Sequence, residues 1–297
     1  MFYGTMTALV TPFSNGHIDE EGFRVHLERQ LEAGVNGVVP AGTTGEAATL
    51  SFDEHKQVIR IAVEQVAGRV PVIAGTGSNN TAESIELTRA AKALGADAAL
   101  LISPYYNKPT QEGIYQHYKA VADAAHIPQI IYNVPGRTNS NILPETAGRL
   151  SHVANIIGIK DATADMEQLT QTIEACGQRM EYYSGDDATV LPFMALGGHG
   201  VISVVANITP VTMKALTDAM RRGDIEAARD AQFAMSELNR VLFIQSNPIP
   251  VKAGCHLLGW MSGEHRLPLV PMSGEPLEQL RRAMQSFEPE QLEVGDS

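Results

Sequence analysis

A (β/α)8 barrel, of the TIM type, followed by a C-terminal helical region is the architecture that the 297-residue sequence predicts, and three observations lead to it. Eight short apolar segments alternate with longer amphipathic ones, turn and cap residues fall between them, and the alternation stops after Asn207. Each parallel strand needs a helical crossover, so a repeated strand-helix rhythm implies a parallel α/β sheet. Eight such units suit a closed barrel, whose usual length is roughly 250 residues. A doubly wound open sheet has the same periodicity and stands as the alternative.

The strand candidates are 6–10, 37–40, 70–74, 98–103, 129–133, 156–160, 182–185 and 201–205. Helical patterns fill 21–33, 53–67, 82–94, 111–125, 144–150, 166–176 and 189–196. Gly34 and Gly95 stand where helix C-caps are expected, Ser51 and Thr81 where N-caps are expected, and Pro144 in a first helical turn. After Asn207 come three more helical stretches, 210–221, 225–242 and 248–258, with Gly223-Asp224 as turn and cap between the first two. The expected division is a catalytic barrel over 1–223 and a helical region over 224–297. Its acidic end, 288–297, reads as frayed.

Composition narrows the function. Hydrophobic residues at 44% and charged residues at 19% suit a globular enzyme. A net charge of −12 argues against nucleic acid or an anionic membrane as a general partner, so an anionic substrate needs a local cation. Cys176 and Cys255 are far apart and outside any CxxC pattern, which supports neither a disulfide nor a thiolate metal site. The nine histidines lack HExxH spacing, and Asp186-Asp187 is read as a helix cap, so no metal is expected. With no basic-then-apolar N-terminal segment and no apolar run of about 18 residues, the expected location is cytoplasmic.

Chemistry concentrates after the strands, where barrels of this type carry their sites. Lys160 closes the apolar run Ile156-Ile157-Gly158-Ile159. Pointing inward beside Gly158, it would meet a low-dielectric interior that favours the neutral, nucleophilic amine; pointing outward, it would simply reach solvent along its stem. The turn Gly42-Thr43-Thr44-Gly45-Glu46 offers amides and hydroxyls to a carboxylate or phosphate, although an ordinary strand-to-helix turn has the same look. Gly75-Thr76-Gly77 fails the dinucleotide fingerprint, because Asn80 holds the third glycine position. Taken alone, Tyr132 reads as core packing. Arg137, in a loop after Pro135-Gly136, reads as surface.

Three stretches change that reading: Gly37-Val38-Val39-Pro40-Ala41-Gly42-Thr43-Thr44-Gly45-Glu46, Tyr132-Asn133-Val134-Pro135-Gly136-Arg137-Thr138 and Ile157-Gly158-Ile159-Lys160-Asp161. With Pro104-Tyr105-Tyr106-Asn107 and Ser184-Gly185-Asp186-Asp187, they resemble the pyruvate-dependent class I aldolase family, also called the N-acetylneuraminate lyase family, from Met1 to about Phe287. The resemblance implies a lyase without metal or separate cofactor, in which Lys160 forms a covalent imine (Schiff base) with pyruvate. Thr43, Tyr106 and Tyr132 would form a hydroxyl relay. Thr44 would hold the pyruvate carboxylate, Gly185 and Ile202 would line its pocket, and Arg137 would bind the carboxylate of L-aspartate 4-semialdehyde. The product would be 4-hydroxy-tetrahydrodipicolinate, at the first committed step of lysine and diaminopimelate biosynthesis. The resemblance further implies a homotetramer built as a dimer of dimers, with Tyr106 crossing into the neighbouring site. Ala48, His55, Asn79, Glu83 and Tyr105 resemble a site for L-lysine as inhibitor, while Phe52 and Ala47 depart from the histidine and serine of some inhibited relatives. Aldolases acting on sialic acid or 2-keto-3-deoxy sugar acids would share Lys160 and Tyr132, and a non-catalytic barrel that senses pyruvate or lysine is the reading outside enzymology.

Overall fold

A computed structural model describes residues 2–286; the acidic stretch 288–297 lies outside the described residues. The barrel strands are β1 (Gly4–Ala8), β2 (Gly37–Val39), β3 (Ile73–Gly75), β4 (Ala98–Ile102), β5 (Gln129–Asn133), β6 (Ile156–Asp161), β7 (Glu181–Ser184) and β8 (Gly200–Ser203). They run parallel in the order β2-β1-β8-β7-β6-β5-β4-β3. A parallel bridge between Val38 and Val72 joins the two ends, with Val38 N–H donating to Pro71 O at 3.0 Å and Gly75 N–H to Pro40 O at 2.9 Å. The sheet therefore closes into a TIM barrel, and the open-sheet alternative fails. The third strand begins later than its apolar run, because Pro71 has no N–H to give the ladder.

Alternation along each strand divides the core. Leu100, Ile130 and Ile202 fill the lumen, while their neighbours Leu101 and Ile131 pack outward against the helices. A separate apolar cluster lies under the C-terminal region, where Val205, Ile208 and Met213 meet Leu238, Val251 and Leu280.

Helices form where pattern and caps agree. Met166–Cys176 and Pro144–Leu150 match their patterns end to end. Asp165 caps the first by accepting from Glu167 and Gln168 N–H, and Pro144 starts the second. Ser51 and Glu54 complete a capping box at Phe52–Val66. The cap of Thr81–Leu94 is Asn80 rather than Thr81, whose hydroxyl instead bonds His117 Nδ1 at 2.9 Å. The C-cap before Gly34 is Ala33, and Gly34 follows it at φ +75°.

Three elements depart from the sequence reading. Asn15 and Gly16, both at positive φ, turn a small hairpin between Phe13–Ser14 and His17–Ile18. The stretch 225–242 divides into Ile225–Ala234 and Ser236–Val241 at Met235, which caps both with φ −89° and ψ −2°. A further helix, Gly274–Ser286, follows Ile249–Leu257. No helix among the described residues is long and apolar enough to cross a membrane.

Candidate active site

The C-terminal ends of the strands open into a cavity of about 730 Å³, lined in part by Thr43, Thr44, Tyr132, Arg137, Lys160 and Gly185. Strand register explains why these residues meet. Lys160 lies level with Tyr132 on β5 and with Tyr183 on β7, and its side chain is 5% exposed. Gly158 and Gly185 clear the way. A Cβ at Gly158 would stand 2.7 Å from Glu181 O, and one at Gly185 would stand 2.9 Å from Lys160 Cε. Lys160 therefore points inward, with Nζ 4.2 Å from the centroid of the Tyr132 ring.

Burial lowers the Lys160 ammonium to about 8; the Asp187 carboxylate opposes that shift and the Arg137 guanidinium assists it. About a tenth of such an amine is neutral at pH 7, against fewer than about one in a thousand for an ordinary lysine. Burial likewise raises the Tyr132 phenol to about 12, with Arg137 and a hydrogen bond to Thr43 resisting and Asp161 adding to the rise. A buried amine poised to attack thus sits against a phenol that keeps its proton, with the Thr43 hydroxyl acting on it.

The turn after β2 closes on itself through Gly45 N–H and Ala47 N–H to Gly42 O, and through Glu46 N–H to Thr43 O. Among the described residues nothing takes up the N–H groups of Thr43 or Thr44, which leaves two donors for an anion. Thr44 is buried, and its hydroxyl accepts from Asn247 Nδ2 at 2.9 Å. Arg137 stands in a four-residue helical turn, Pro135–Thr138, rather than in a loop, and its Nη2 donates to Asn247 O at 3.0 Å.

Two residues important to this geometry escaped the sequence reading. Asn247 ties Thr44 to Arg137 from a segment 203 and 110 residues away, a placement with no local signature. Asp187 is no helix cap. Its carboxylate is buried, accepts from Val204 and Val205 N–H at 2.9 and 3.1 Å, and is the negative group acting on Lys160. Burial raises its own pKa. Asp186 accepts instead from the Thr189 hydroxyl at 2.7 Å.

Ile202 is fully buried in the lumen rather than on the cavity wall, which Val204 supplies at that strand end. Tyr106 is not brought to Lys160 within one chain: it is 89% exposed, at a φ of +73°. Ala48, His55, Glu83 and Tyr105 line the same cavity as Lys160, and Asn79 joins them by donating to Tyr105 O at 3.1 Å. No cluster of three or more metal-ligating side chains occurs among the described residues.

Comparison with known proteins agrees with this architecture. The family model described as "Dihydrodipicolinate synthetase family" matches residues 1–287. The 4-hydroxy-tetrahydrodipicolinate synthase of Citrifermentans bemidjiense is 53% identical over 287 residues, covering 97% of this chain and 99% of its own. The chloride-inhibited dihydrodipicolinate synthase from Acinetobacter baumannii, complexed with pyruvate, superposes at a TM-score of 0.95 with 47% identity, covering 96% and 99% of the two chains. That of Cyanidioschyzon merolae, with lysine bound, gives 0.93 and 40%, covering 96% and 98%. Matched over residues 1–287 by one family and over 97% of its length by a relative of similar size, the chain belongs to the dihydrodipicolinate synthetase family.

Proposed function

We propose that the chain is a 4-hydroxy-tetrahydrodipicolinate synthase that condenses pyruvate with L-aspartate 4-semialdehyde through an imine on Lys160. The observation that carries this reading is the buried, partly neutral Lys160 amine 4.2 Å from the Tyr132 ring centroid, beneath a turn with free amides. In this reading the amine adds to the ketone carbon of pyruvate and water leaves. The resulting iminium draws electrons from the methyl group, which loses a proton to become the enamine carbon. That carbon bonds to the aldehyde carbon of the second substrate. The substrate amine then adds to the iminium carbon, Lys160 departs as the amine, and the ring is closed. Thr43 and Tyr132 relay protons, Thr44 and the turn amides hold the pyruvate carboxylate, Gly185 leaves room for the lysine stem, and Ile202 backs the pocket. The carbonyl chemistry needs no metal or separate cofactor.

Borohydride reduction in the presence of pyruvate, followed by peptide mass spectrometry, tests the reading: a reduced pyruvate adduct on Lys160 supports it, and an adduct elsewhere or none rejects it. Arg137 decides the aldehyde. Arg137→Ala should raise the KM for aspartate semialdehyde about 10- to 100-fold, the worth of hydrogen bonds to a charged group, and change pyruvate trapping little. Equal or better turnover of sialic acid or a keto-deoxy sugar acid in parallel assays would reassign the substrate.

The active assembly in this proposal is a homotetramer made of tight dimers, in which the exposed Tyr106 enters the neighbour's site; sedimentation of the full chain measures its mass. Residues 1–223 form the catalytic barrel, the helical extension begins at 224, and the enzyme works in the cytoplasm. Lysine is proposed to bind near Ala48, His55, Asn79, Glu83 and Tyr105, where Ser78 already donates to Glu83 at 2.7 Å. Millimolar lysine should therefore slow the initial rate, and an unchanged rate rejects the effector site.

A further inference from the structure

Glu46 ends the turn that carries Thr43 and Thr44, and it is held as few surface-loop residues are. Its φ is +55°, as is that of Ala41, so two non-glycine residues in the left-handed region bracket residues 42–45. Such conformations persist only where the surroundings impose them. For Glu46 the surroundings are the C-terminal region. One carboxylate oxygen accepts from Lys252 Nζ at 2.6 Å and the other from Arg266 N–H at 3.2 Å. The side chains of Glu46 and Lys252 are 1% and 0% exposed. Lys252 Nζ also rests 4.1 Å from the centroid of the Phe13 ring, in the hairpin.

Stability gives a poor reason for this pair. Burying two opposite charges costs desolvation that their attraction often fails to recover, and apolar replacements of the same size commonly fold as well. A buried pair does fix geometry, because each charge tolerates few positions once water is excluded. Here the geometry fixed is that of the turn: Glu46 N–H donates to Thr43 O at 3.1 Å, and the Thr11 hydroxyl donates to Gly45 O at 2.8 Å. The helix that brings Lys252, Ile249–Leu257, begins two residues after Asn247, which bonds Thr44. Side-chain grips from one short segment thus set both the middle and the end of the turn.

We propose that Glu46 and Lys252 are a positioning pair for the pyruvate carboxylate: with their side chains buried against each other, they act by fixing the amides and hydroxyls of Thr43 and Thr44. The inference rests on the reading that Lys160 condenses with pyruvate. It assigns the pair to the pyruvate half of the reaction, since the Arg137 side chain donates to the Asn247 carbonyl and to neither Glu46 nor Lys252.

The test compares the full-length wild type with the double variant Glu46→Gln/Lys252→Met, which keeps an acceptor for Arg266 N–H and fills the lysine's volume. Borohydride trapping on Lys160 is measured across pyruvate concentrations, alongside the thermal melt and the KM for the aldehyde. The double variant should melt near the wild type yet need about tenfold more pyruvate or beyond for half-maximal trapping, because displacements near 1 Å can cost ~10²-fold in rate. The aldehyde KM should change little. Trapping at wild-type pyruvate concentrations would overturn the proposal, as would a loss that only follows a lowered melting temperature. Should the double variant not fold, Glu46→Asp decides the matter: it keeps the charges but draws the carboxylate one methylene short, and unchanged pyruvate dependence would again overturn the proposal. A wild type that forms no adduct at all removes the aldolase reading itself, a result distinct from a variant that traps normally.

Discussion

Lys160→Ala should abolish the borohydride-trapped pyruvate adduct and lower turnover by at least about a thousandfold, because deleting a covalent nucleophile removes the route rather than weakening it. The fold should survive. Alanine at 160 leaves an apolar gap facing the cavity and deletes no hydrogen bond seen in the structure, so the melt should stay cooperative. The wild-type pH dependence supplies the complementary measurement. With the Lys160 ammonium held at about 8, the protonated form dominates below that pH and the reactive amine above it. The rate of imine formation should therefore rise nearly tenfold per unit from pH 6 to 7.5 and level off beyond about 8.5. A profile still climbing steeply at pH 10 would mean that burial does not tune this amine. Its cause could then be sought with Asp187→Asn: removing the negative group that opposes the shift should move the midpoint downward.

Tyr132→Phe is the second large effect, and it separates proton transfer from binding. The ring stays, so packing against Lys160 and the lumen is kept, while the phenol hydroxyl is lost. Positioned general acid-base groups are commonly worth about 10²- to 10⁴-fold, and a loss of that order is expected in kcat with a modest change in pyruvate KM. A variant within a small factor of wild type would assign the relay elsewhere. The raised phenol pKa of about 12 gives the sign: Tyr132 starts protonated throughout the working range, so its own ionisation should not appear as a limb of the pH profile.

The fold was legible wherever local rules suffice. Caps and 3.6-residue periodicity set Pro144–Leu150 and Met166–Cys176 to the residue. Asn15-Gly16 carries a standard hairpin signal, but flanking strands of only two residues each give it no periodic pattern to stand beside. In the site, Lys160 and Tyr132 were joined in the sequence by the family resemblance, and the register of two adjacent parallel strands sets them side by side. Asn247, Asp187 and the Glu46–Lys252 pair could not be read from sequence. Their partners are backbone atoms or side chains far along the chain, and nothing in the residues around them distinguishes them from a loop amide, a helix cap and a solvated salt bridge. Tyr106 was named by resemblance alone, and in one chain it is exposed and does not line the cavity.

The grips on the second strand's turn span 203, 206 and 220 residues of sequence, from Asn247, Lys252 and Arg266. During synthesis the lysine-bearing strand leaves the ribosome well before any of them. A nascent chain can thus assemble most of its barrel while the anion cradle is still unsecured, since contacts of such separation close last. Competence arrives with the final quarter of the chain, once all three partners of the turn are present.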